Sequence, residues 1–125
     1  MNINGLVKTF KALGEPTRLK ILKLLSIRPM FVCELEGVLQ ISQPRISQHL
    51  RVLKEAGLLK EKKDAQRTFY LLQKDFMQES FNGLINTLEQ ELEKLAEFQE
   101  EFIRLKQLDN DSNVIFCKEG MNCNK

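Results

Sequence analysis

One stretch, Ile41 to Leu59, constrains the fold of this chain more than any other. Ser42 is placed to cap a helix, its hydroxyl accepting a first-turn N–H. Pro44 falls in that first turn, where a missing N–H costs nothing. Ile46, Leu50 and Leu53 recur at helical spacing and bury one face. Pro44, Ser47, Gln48 and Arg51 point the opposite way, and Gly57 ends the helix by taking the left-handed conformation past its C-terminus. A helix with one apolar row and an outer face of short polar chains suits a DNA major groove. Gln and Arg reach base edges there, while Ser and the helix N-terminus hold phosphate.

The segments before it supply a frame. Asn4 to Leu13 reads as a first helix with Leu6, Phe10 and Leu13 on one face, ended by Gly14. Pro16 opens a second helix at a tolerated position, and Leu19, Ile21, Leu22, Leu24 and Leu25 commit it to the core. Arg28-Pro29 stops it. Val32 to Leu39 forms a short third helix, and Gln40-Ile41-Ser42 turns tightly into the fourth. Short helices, a brief turn and an outward-facing polar helix make a helix-turn-helix pattern.

After Gly57 the period changes. Leu58 to Lys62 and Arg67 to Leu72 are two short β-type runs separated by Lys63-Asp64-Ala65-Gln66, which predicts a hairpin with a basic tip. Lys60, Lys62, Lys63 and Arg67 are placed to meet phosphate, and Arg67 to enter a minor groove. The charge agrees: the net +2 divides into +8 over residues 1–74 and −6 over residues 75–125. A basic front suits a polyanion partner.

From Asp75 to Leu108 the spacing predicts one long helix, about 50 Å at 1.5 Å per residue. Phe81, Leu88, Leu95 and Phe102 recur every seven residues, with Leu84, Phe98 and Leu105 in the second seam and Glu91 interrupting it. Such a stripe asks for a partner helix. The expectation is a homodimer through Leu6, Phe10, Phe81, Leu88, Leu95 and their neighbours. The predicted organisation is a domain over 1–108 and a Cys-containing tail over 109–125. No apolar run approaches a membrane span, and Met1 to Phe10 has no signal-peptide core, so a cytoplasmic protein is expected.

Two motifs carry a family likeness. Ala12-Leu13-Gly14-Glu15-Pro16-Thr17-Arg18-Leu19-Lys20-Ile21-Leu22 resembles the opening signature of the arsenic- and metal-responsive ArsR–SmtB repressors. Ser42 to Leu53 resembles that family's recognition helix, and Gly57-Leu58-Leu59 with Arg67 to Leu72 its wing. The resemblance implies a mainly α winged helix-turn-helix fold with a small β-hairpin wing, and a homodimer on a dyad operator that leaves it on sensing an inducer. Carried over by position, Ser42, Gln43, Arg45, Ser47, Gln48, His49 and Arg51 would sit at or near DNA, with Lys62, Lys63 and Arg67 from the wing. Gln48 and Arg51 would read bases, and His49, the one His, would pack or touch phosphate.

The sensing residues depart from the family pattern. Arsenic sensors resembling this chain carry a Cys-x-Cys pair at the third helix; here the stretch is Phe31-Val32-Cys33, which keeps only the second thiol. The zinc sensors' histidines on the last helix are absent too. Cys33, Cys117 and Cys123 together could form a trigonal soft-donor site for As(III) or Sb(III), or for Cd(II) or Pb(II). Alternatively Cys117 and Cys123 form a redox or sulfur-species switch, or the thiols are incidental. An enzyme is not expected, since no glycine-rich loop or orienting acid supports a Cys33–His49 nucleophile. A coiled-coil protein-interaction module is the remaining alternative of a different class.

Overall fold

Local capping sets the helical frame. The structure, a computed structural model, describes residues 2–111. Asn2 caps α1 (Ile3–Leu13) by accepting the Gly5 N–H at 2.6 Å, and Glu15 caps α2 (Pro16–Ile27) by accepting the Arg18 N–H at 2.9 Å. β1 (Met30–Phe31) leads directly into α3 (Val32–Leu39), where the Phe31 N–H donates to Glu34 Oε1 at 3.0 Å. Gln40 adopts a left-handed conformation, and α4 (Gln43–Glu55) follows. The chain divides at Ile85, within α5 (Lys74–Glu89), into two compact units.

In the first unit, residues 1–85, the core forms where apolar rows of α2, α3 and α4 converge on the start of the sheet. Ile21, Leu35, Ile46, Leu50, Leu53 and Leu58 are fully buried. The expected row of α4 is thus the buried one, and its outer residues are left to solvent.

Gly57 ends α4 for two reasons. Its φ is +84°, and its N–H donates to Lys54 O at 2.9 Å while that of Leu58 donates to Leu53 O at 3.0 Å, the paired bonds of a Schellman ending. A Cβ at Gly57 would also lie 2.9 Å from the Phe76 ring. At the other end, Ser42 is the N-cap residue but its side chain makes no capping hydrogen bond, contrary to expectation. The helix instead starts on backbone, with the Ile46 N–H donating to Ser42 O at 3.0 Å.

β2 (Leu59–Asp64) and β3 (Arg67–Leu72) form the expected hairpin, joined by Ala65-Gln66 with Ala65 at a φ of 58°. The strand order is β1-β3-β2, all antiparallel, with Phe31 opposite Phe69 and Lys62 opposite Phe69 on the other side. β1 escaped the sequence reading because two residues carry no alternation to detect.

The single long helix is not formed. α5 ends at Glu89; Leu92–Lys94 and Ala96–Phe98 are isolated 3₁₀ turns, and α6 spans Gln99–Asp109. Glu91 and Leu95 take extended backbone. A continuous helix would set Glu89, Glu93, Glu97 and Glu101 in one row at i,i+4 spacing. Like charges at that spacing repel, and Glu91 occupies the apolar seam. Leu6, expected at a dimer face, is instead buried in the core side of α1 at 7% exposure.

Candidate nucleic-acid interface

The outward face of α4 carries the expected groups. Gln43, Arg45, Gln48 and Arg51 are exposed, as are Ser42 and Pro44. Gln43 Nε2 donates to the Ser47 hydroxyl at 3.1 Å, which organises the first turn and leaves Ser47 half-buried. Arg45, Gln48 and Arg51 make no side-chain hydrogen bond or ion pair with the described residues, so their donors remain available.

His49 leaves this face. Its side chain is 16% exposed, with Nδ1 3.4 Å from Arg18 Nη1 and 3.8 Å from Glu15 Oε2, both at the start of α2. It packs at the α1–α2 corner rather than standing among the groove-facing donors. Arg18 also donates from Nε to Ala12 O at 2.6 Å and from Nη2 to Lys11 O at 3.3 Å. The Glu15 carboxyl is held below the ordinary carboxylate range by the Arg18 backbone N–H first, against some desolvation, with help from the Arg18 charge. The sequence reading did not assign Glu15 or Arg18 to the site. One signal was present: Arg18 precedes Leu22 and Leu25 in the apolar row of α2, and a charge in such a row needs a partner.

On the wing, Lys60, Lys62 and Lys63 are exposed along β2. Arg67 is exposed beside the tip and seated on an aromatic ring. Its guanidinium carbon lies 3.9 Å from the centroid of the Phe31 ring, which meets Phe69 edge to face at 5.7 Å. The wing is also tied to α4: Lys54 donates to Glu61 at 2.7 Å, and the Tyr70 hydroxyl to the same carboxylate at 3.2 Å. Lys54 first, and then Tyr70 and Lys63, hold the Glu61 carboxyl below its ordinary range against desolvation; burial first and then Glu61 push the Tyr70 phenol up.

Cys33 is exposed at the second position of α3, on a shallow pocket of about 300 Å³ lined also by Phe31, Val32, Glu36, Gln43 and Arg67. Cys117 and Cys123 lie outside the described residues. Among the described residues no three His, Cys, Asp or Glu side chains cluster to hold a metal ion, and no helix is long and apolar enough to cross a membrane.

Comparison with known proteins agrees with this geometry. Residues 15–61 match the family model described as "Bacterial regulatory protein, arsR family". An uncharacterized HTH-type transcriptional regulator of Methanocaldococcus jannaschii is 46% identical over 71 residues, 56% of this chain and 80% of that protein. The arsenical resistance operon repressor of Staphylococcus xylosus is 34% identical over 92 residues, 72% of this chain and 88% of that protein. Among solved structures, HlyU of Vibrio cholerae, named a transcriptional activator, superposes with a TM-score of 0.56 at 34% identity, covering 71% of this chain and 98% of that one.

Proposed function

The chain belongs to the ArsR family of bacterial transcriptional regulators, and on that basis we propose that it is a repressor that holds a dyad operator as a homodimer and releases it when its thiolates bind a soft metalloid, arsenite first. The observation that carries the DNA half is the exposed row of Arg45, Gln48 and Arg51 on α4, backed by the fully buried Ile46, Leu50 and Leu53. Seated in a major groove, that row meets base edges while the β2 lysines reach toward phosphates of the adjoining backbone.

A second copy supplies the other half-site. Val7, Phe81 and Ile85 are 43%, 44% and 52% exposed in a single chain, and Phe10 meets Phe81 edge to face at 5.6 Å. These apolar groups favour pairing through α1 and α5, with Leu6 excluded because the chain's own core covers it. Leu88 and Leu95 belong to the second unit.

For the inducer, a trigonal site needs three thiolates. Cys33 supplies one, and Cys117 and Cys123 would supply the others. Phe31 fills the position where a second helix thiol would have been expected. The test begins with a duplex selected by the protein from a random pool. Its release is titrated with arsenite, cadmium, zinc and an oxidant, for wild type and for Cys33→Ser. Arsenite should release the wild type and leave the variant bound. Release of both by arsenite overturns Cys33 as a ligand, and release by oxidant alone transfers the assignment to a thiol redox switch.

A further inference from the structure

Arg18 and His49 are a pair whose geometry goes beyond packing. The Arg18 guanidinium has three acceptors, and two of them, Lys11 O and Ala12 O, close the end of α1. Its third donor, Nη1, points at His49 Nδ1 at 3.4 Å. A guanidinium can only donate, so Nδ1 is the acceptor of this contact. Glu15 stands behind both, with its Oε2 on the Arg18 N–H at 2.9 Å and 3.8 Å from Nδ1. His49 follows Gln48 directly and precedes Arg51 by two residues on α4, so a bond at His49 opposes rotation of the helix about its own axis.

We infer that Arg18 and His49 are a positioning pair for DNA recognition: Arg18, anchored on the end of α1, fixes the rotation of α4 through His49 Nδ1 and so sets where Gln48 and Arg51 arrive. The inference rests on the DNA-binding reading above. Its physical basis is leverage. A small rotation of the helix moves the tips of long side chains by more than a hydrogen bond tolerates, while phosphate contacts from the wing survive it.

Three substitutions separate this role from its rivals. In His49→Asn the amide oxygen replaces the Nδ1 acceptor. In His49→Gln the amide lies where Nε2 was, and His49→Leu offers neither. Each is titrated against the duplex selected by the wild type and against a random duplex, with melting temperature recorded. His49→Leu and His49→Gln should lose about tenfold in affinity for the selected duplex, the effect of one charge-assisted hydrogen bond. Binding to random DNA should stay within about twofold, and His49→Asn should stay near wild type on both. Rescue by Gln and not by Asn would make His49 a direct phosphate donor and overturn the pair. So would three variants indistinguishable from wild type, or an equal loss on both duplexes accompanied by a lowered melting temperature. A wild type that selects no duplex overturns the DNA-binding reading itself, and the pair's role with it.

Discussion

The Arg67 guanidinium carbon lies 3.9 Å from the centroid of the Phe31 ring, which fastens the first residue of the wing's central strand to the residue that opens α3. Phe31→Ala removes that seat and the edge contact with Phe69. It should cost about 2 kcal/mol, the low side of a Phe truncation because the ring is only half-buried, plus its cation–π contact. Urea unfolding reads the loss, and limited trypsin digestion should cut faster at Lys62 and Lys63. An unchanged cleavage rate would mean that the hairpin holds without this seat.

Gly57→Ala should destabilise the protein by about 1–3 kcal/mol, because a left-handed backbone and the Phe76 ring both oppose a Cβ. The control is Gly37→Ala, where nothing lies within 4 Å of the new atom and the helix propensity favours Ala. The first change should lower the urea midpoint and the second should raise it or leave it unchanged.

Stability should fall on acidification through Glu34 and Glu61. The Glu34 carboxyl is held below its ordinary range by the Arg28 hydrogen bond first and then by the Phe31 N–H; that of Glu61 by Lys54 first. A carboxyl depressed in the folded state stabilises fully above its unfolded value, and the contribution is lost as pH falls through the folded one. Melting temperatures recorded from neutral pH downward should therefore drop once the ordinary carboxylate range is entered. Both ion pairs face solvent, so the effect is small and weakens with salt. Glu61→Gln should flatten the acid limb; an identical slope in the variant would assign the loss to other groups.

Base readers and phosphate contacts should separate by their salt dependence. Gln48→Ala and Arg51→Ala should each cost about 1–3 kcal/mol on the selected duplex and relax its sequence preference. Lys62→Ala and Lys63→Ala should weaken all duplexes alike and reduce the slope of log K against log salt by about 1 each. Titrations at several salt concentrations decide between the two patterns for each residue.

The elements legible in the sequence were those marked by chemistry at both ends. α4 has Ser42 and Pro44 before it and Gly57 after it, and its apolar row Ile46, Leu50 and Leu53 is the buried one. The hairpin was legible for the same reason. β1 was not, since its two residues become a strand only by pairing with Phe69 and Tyr70. The long helix misled because heptad spacing reports which residues are apolar, whereas the glutamate row across its middle reports what the backbone tolerates. At the interface, the exposed donors of α4 were read from helical phase alone. Packing of His49 was among the readings, but its partner Arg18 was not, because Arg18 is distant in sequence and brought near by the α1–α2 corner. The seat of Arg67 on Phe31 was likewise not read.

The strand order β1-β3-β2 leaves β2 on the rim of the sheet. Apart from the buried Leu59, every residue of that strand is charged: Lys60, Glu61, Lys62, Lys63 and Asp64. An open rim of backbone donors and acceptors is a template on which other chains stack, and lysines along it deter them. Neutralising the wing to abolish DNA contact would therefore also remove what keeps one sheet from extending into the next. Loss of affinity in such variants has to be read alongside their state of aggregation.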